Sequence, residues 1–97
     1  MIFAEIDYQD EYWDFHEELL AFLSEHFSQL KSGLQGDSWF WIFDGEEKVV
    51  IDTFSSMKHQ IKSEKAGQHV QNVIETLLLK YKLKVYEKPE LEGHEDV

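Results

Sequence analysis

Cysteine is absent from this chain of 97 residues. That excludes a disulfide framework, a thiolate zinc site and a cysteine nucleophile. Arginine is absent too, since all nine basic residues are lysine. The planar fork that grips phosphates and carboxylates through two parallel hydrogen bonds is therefore missing. Proline occurs once, at position 89. The longest apolar runs, 19–23 and 39–43, are five residues each, far below the roughly 20 that span a bilayer. The first seven residues have no basic stretch and are interrupted by Glu5 and Asp7, so no secretory signal is read there and a cytoplasmic location is expected.

What is present fits one globular domain, with apolar residues at 42% and charged residues at 30%. A domain of this size buries only about two-thirds of its unfolded surface, so a cleft or a sheet face is a more natural ligand site than a deep cavity. The net charge is −11. Residues 1–37 hold nine acids against Lys31 alone. That sign disfavours nucleic acid and anionic membranes and favours a basic protein, although solubility alone also accounts for it.

Ile2, Ala4 and Ile6 alternate with Phe3, Glu5 and Asp7, which predicts a strand over 2–7. From Asp10 the period changes. Tyr12, Phe15, Leu19, Phe22, Leu23, Phe27, Leu30 and Leu34 recur at three- and four-residue steps, predicting a helix over 10–32 that Asp10 caps and Gly33 and Gly36 end. Its polar arc carries Asp14, Glu17, Glu18 and Glu25. Its apolar half is wider than one sheet contact needs, leaving a surplus for the second helix or another subunit.

Residues 38–43 and 48–54 read as two strands joined through Asp44-Gly45-Glu46-Glu47, a hairpin signal. With a loop of two or four residues, Phe40, Ile42, Val49 and Ile51 share one wholly apolar face. Trp39, Trp41, Phe43, Lys48, Val50, Asp52 and Phe54 share the other. The first face is expected to carry the helices. A weak third strand is predicted at 57–62, running back beside 48–54. A second amphipathic helix follows at about 65–81, built on Ala66, Val70, Val73, Ile74, Leu77, Leu78 and Tyr81. A last strand around Leu83 and Val85 is expected to stop at Pro89. The domain then covers 1–88, and 89–97 reads as an acidic, disordered tail.

The predicted order is β-α-β-β-(β)-α-β, an α+β sandwich with a mostly antiparallel sheet and both helices on one face. Without the 57–62 strand it becomes the split βαβ arrangement of ferredoxin-like folds.

No reactive motif stands out. His16 and His26 lie about 15 Å apart along a helix axis and cannot share an ion. His59, His69 and His94 show no metal-ligand spacing, so no metal and no cofactor are expected. Asp52, set among apolar neighbours, is the best-placed acid, with pairing to a lysine as its plain alternative. His59 with Asp52 or Glu64 is the one acid/base combination to inspect. Gly33-Leu34-Gln35-Gly36 lacks the strand and the lysine of a phosphate loop. Aromatics on an open sheet suit single-stranded RNA only with basic flanks, and here the flanks are Asp37, Asp44, Glu46 and Glu47.

The aromatic face carries the functional expectation. Burying three large rings at roughly 200 Å² each is worth on the order of 15 kcal/mol gross, so something should cover them. The expected function is a small non-catalytic interaction module, a homodimer or a binder of a basic protein, an acidic inhibitor of a basic toxin being one form. Trp39, Trp41, Phe43 and Phe54 would anchor the partner, and Asp14, Glu17, Glu18 and Glu25 would steer it. Two alternatives stand beside it. One is a small-ligand binder or enzyme using the same aromatics with His59 or Asp52. The other is a structural part of a larger assembly. Leu91 and its neighbours could instead fold over the rings.

Overall fold

A computed structural model of the protein describes residues 1–92. Eight elements follow one another: β1 (Ile2–Asp7), α1 (Tyr12–His26), β2 (Leu30–Gln35), β3 (Asp37–Asp44), β4 (Glu47–Asp52), β5 (Gln60–Lys62), α2 (Gln68–Leu77) and β6 (Lys82–Glu90). The strands form one sheet in the order β2-β3-β4-β5-β1-β6. Every neighbouring pair is antiparallel. The result is a two-layer α+β fold in its meander form, with one strand more than the sequence predicts, and the split βαβ alternative is not adopted.

The β3–β4 hairpin sets the two faces. Phe40 pairs with Ile51 and Ile42 with Val49, while Trp39 pairs with Asp52, Trp41 with Val50 and Phe43 with Lys48. This is the partition expected from the sequence, because the connection is a two-residue turn, Gly45-Glu46. Gly45 has φ +62° and, among the described residues, none other than glycine has positive φ, the pattern of a turn with glycine at its first central position.

On the inner face, Phe40, Ile42, Val49, Ile51 and Ile61 join Phe15, Leu19, Phe22 and Leu23 of α1 and Val70, Val73, Ile74 and Leu77 of α2 in a single core. The helical positions recur at three- and four-residue steps because only that spacing keeps them on one side of the helix. Each fully buried aliphatic side chain contributes about 1.5–3 kcal/mol.

Several boundaries correct the expectations. The first helix ends at His26, not near 32, and Phe27 is already extended, with its N–H on Leu23 O at 2.8 Å. Residues 30–35 instead form β2, paired with β3 throughout. Leu30 and Leu34, four apart, fit one helical turn and two strand periods equally, so their spacing does not discriminate. The helix N-cap is Glu11 rather than Asp10, and it makes no side-chain capping bond. β6 runs through Pro89 to Glu90, which an edge strand tolerates because the missing N–H faces no partner strand. The second helix is shorter at both ends than expected, 68–77. Of the expected tail, 93–97 lie outside the described residues, His94 among them.

Candidate functional site

Both helices pack on the inner face, so the outer face of the sheet has no helical layer. Trp39, Trp41 and Phe43 stand there half-buried, and Phe54, just beyond β4, is 63% exposed. Lysines lie over several of these rings. Lys48 Nζ lies 4.4 Å from the Trp41 ring centre and Lys31 Nζ 5.8 Å from that of Phe43. Trp39 and Trp41 contact each other with ring centres 4.9 Å apart. Lysine stems cover apolar rings while their ammonium groups stay near the π faces.

Trp41, Phe43, Val50 and Phe54 line a groove of about 560 Å³. Lys62 lies in its wall, only 4% exposed, between Asp52 Oδ1 at 2.6 Å and Glu92 Oε2 at 2.5 Å. Glu92 also accepts a hydrogen bond from the Ser55 hydroxyl. The segment after β6 therefore reaches the groove wall through Glu92, while Leu91 stays 48% exposed. Asp52 is held in an ion pair with a lysine of the neighbouring strand, as the plain alternative expects. Glu46, Glu47 and Glu64 complete the acidic lining. At the rim, Lys65 Nζ meets Glu47 Oε1 at 2.8 Å, and that hydrogen bond lowers the Glu47 pKa while raising that of Lys65.

The predicted site residues divide into two groups. Trp39, Trp41, Phe43 and Phe54 do gather on one surface. Asp14, Glu17, Glu18 and Glu25 are exposed on α1, on the opposite side of the sheet, so one flat partner cannot touch both sets. Acidic residues beside the rings come instead from Glu46, Glu47, Asp52, Glu64 and Glu92. Glu46 and Glu47 were legible as the hairpin turn flanking the rings. Glu64 and Glu92 were not, because only the tertiary fold brings β5 and the chain end alongside β4.

His59 lies buried in the inner layer, whereas Asp52 and Glu64 line the groove on the outer face, so neither acid/base combination expected from the sequence forms. His59 instead belongs to a buried hydrogen-bonded chain on the inner face. Tyr8 Oη lies 2.7 Å from His59 Nδ1, His59 Nε2 lies 2.6 Å from Ser38 Oγ, and Ser38 Oγ lies 2.6 Å from His16 Nδ1. One proton per link satisfies the whole chain with both rings neutral, whichever way the protons run. Burial holds His59 down to about 3, with His16 adding to the effect, and burial lowers His16 as well. Burial also pushes Tyr8 up to about 12. Ser38 is 0% exposed, so no substrate reaches its hydroxyl, and the chain serves to satisfy polar groups inside the core.

A second serine and histidine adjoin the groove. Ser63 Oγ donates to Lys48 O at 3.0 Å and lies 3.0 Å from His69 Nε2. With the serine proton committed to a carbonyl, His69 must donate to Ser63 Oγ rather than accept from it. A histidine in that state is not a general base for Ser63. Among the described residues, no group of three or more histidines and acids is placed to hold a metal ion, and no helix is long and apolar enough to cross a membrane. Comparisons with family models, curated proteins and solved structures found no match for this chain.

Proposed function

We propose that the protein is a non-catalytic interaction module whose outer sheet face receives a basic segment of another protein. The observation that carries this reading is the groove itself, where half-buried aromatic rings lie among five carboxylates and two lysines. Aromatic faces and carboxylates both attract lysine and arginine side chains. The lysines already resting over Trp41 and Phe43 support the same preference. Trp41, Phe43 and Phe54 would anchor the partner, and the acids of the rim would steer it. The exposed acids of α1 then act at long range, raising the encounter rate rather than making contacts.

The test is a tryptophan-fluorescence titration with a lysine- and arginine-rich peptide and with an acidic peptide of equal length. The basic peptide should shift the emission, more weakly as salt is raised, and Trp41→Ala should abolish binding while the fold persists. An equal response to both peptides, or unchanged affinity in Trp41→Ala, overturns the proposal. A second reading, a binder of a small apolar ligand, draws on the groove volume, which falls within the range of about 300–1,000 Å³ for such sites. It predicts salt-independent binding of an uncharged aromatic compound to the same residues.

A further inference from the structure

The two edges of the sheet are built differently. β6 carries Lys82, Lys84, Glu87, Lys88 and Glu90 together with Pro89, and its register with β1 shifts between Ile2 and Ala4. Charges, proline and irregular pairing all discourage a further strand from adding to an edge. β2 has one charged residue, Lys31, no proline, and unbroken pairing with β3 from Leu30 to Gln35.

The direction of its backbone groups follows from one bond. Phe43 N–H donates to Gln29 O at 3.0 Å, so these two residues form a hydrogen-bonded pair. Antiparallel alternation then makes Lys31–Trp41 and Gly33–Trp39 hydrogen-bonded pairs as well, and leaves Leu30, Ser32 and Leu34 in the alternate pairs. The N–H and C=O groups of Leu30, Ser32 and Leu34 therefore point to the outer edge, where no described strand lies.

We propose that β2 pairs antiparallel with β2 of a second copy about a twofold axis at Ser32. Leu30 then faces the partner's Leu34, Ser32 faces the partner's Ser32, and Leu34 faces the partner's Leu30. All three pairs use outward-pointing groups, and each exchanges two backbone hydrogen bonds. The same register keeps each layer continuous, because residues directly opposite each other share a face. Leu30, half-buried, and Leu34, exposed at 40% in one protomer, gain apolar neighbours across the axis. Moving the axis to Gly33 would set Leu34 against the partner's Ser32 and send Leu30 beyond the partner strand.

The twofold register makes this edge complementary to itself, and no acidic side chain of β2 opposes the contact. Two chains of net charge −11 repel over most of their surfaces, yet β2 brings no carboxylate to the axis. The contact is isologous and closes at two subunits. It goes beyond the proposed function, since it uses an edge rather than the aromatic face and leaves the groove unoccupied.

Sedimentation equilibrium of the full chain over a wide concentration range should give the mass of two chains, with dimerisation strengthened by added salt as the net charge is screened. Ser32→Pro removes an N–H that β3 does not use, so the protomer should keep its circular dichroism and thermal transition while dimerisation weakens by about tenfold or more. Leu34→Glu should do the same by placing a carboxylate against the partner's Leu30. Amide exchange at Ser32 and Leu34 should slow as concentration rises. Trp41→Ala should leave the dimer intact, and Ser32→Pro should leave basic-peptide binding intact, so the two proposals fail separately. A single-chain mass at every concentration overturns the inference, as does a dimer that survives both β2 substitutions in folded protein.

Discussion

Trp39 lies across Gly33, the residue directly paired with it on the neighbouring strand. A Cβ at Gly33 would stand 2.5 Å from Trp39 Nε1 and Cε2. The glycine therefore acts as a seat for the indole on the outer face, a role hidden in the sequence because Gly33, with Gly36 close by, also fits the end of a helix.

Gly33→Ala must move the indole off its seat. We expect a red-shifted tryptophan emission and a loss of about 1–3 kcal/mol, the usual range for overpacking. The emission maximum and the urea midpoint measure both effects, and no change in either would mean that Trp39 is not held against β2.

Ser38→Ala removes the centre of the Tyr8–His59–Ser38–His16 chain and leaves one nitrogen on each histidine without its partner. Stranding a buried polar group costs about 1–3 kcal/mol, so with two affected this variant should rank among the most destabilising single-atom deletions in the molecule. Urea unfolding near neutral pH tests it. Ser28→Ala, on the exposed segment after α1, supplies the comparison and should be nearly neutral.

Stability should fall on acidification well before the carboxylates titrate. His59 is lowered in the fold from the ordinary 6.5 to about 3, and His16 is lowered too. The unfolded chain thus binds protons that the native state refuses, and the stabilisation is complete above about pH 6.5 and lost as pH drops toward 3. His59 alone should raise the unfolding constant about tenfold per pH unit inside that window, and His16 should steepen the change. Equal urea midpoints at neutral pH and one to two units below it would contradict the buried neutral chain.

Lys62→Met leaves Asp52 and Glu92 facing each other without their shared cation. Removing one partner from a buried ion pair costs about 3–5 kcal/mol. Thermal melts at neutral pH should show that loss for Lys62→Met and a much smaller one for Lys62→Arg, which keeps the cation. Equal deficits in the two variants would assign the role of Lys62 to packing of its stem.

Much of the architecture is legible in the sequence where one period dominates. The three- and four-residue steps of Phe15, Leu19, Phe22 and Leu23 placed α1, and the alternation from Ser38 to Ile51, with Gly45 in the turn, placed the hairpin and both of its faces. Leu30 and Leu34 satisfy both periods, and only the pairing of β2 with β3 distinguishes strand from helix there.

The candidate site was legible only by half. The rings sit next to one another in the chain, and their side of the sheet follows from counting. Asp52 follows from the same count and Glu46 and Glu47 from the turn, but Glu64 and Glu92 reach the rings only through the order of strands.

By itself, the sequence determined the class of fold, the apolar stripe of each helix and the aromatic identity of the outer face, because these depend on periodicity, a local property of the chain. Only the tertiary structure decided that the α1 acids lie on the far side of the sheet from the rings, that Lys62 is enclosed by two carboxylates, and that Ser38 ties two histidines into the core. Those relationships depend on which distant segments become neighbours, and that is set by the shared burial of both helices on one face rather than by any short stretch of residues.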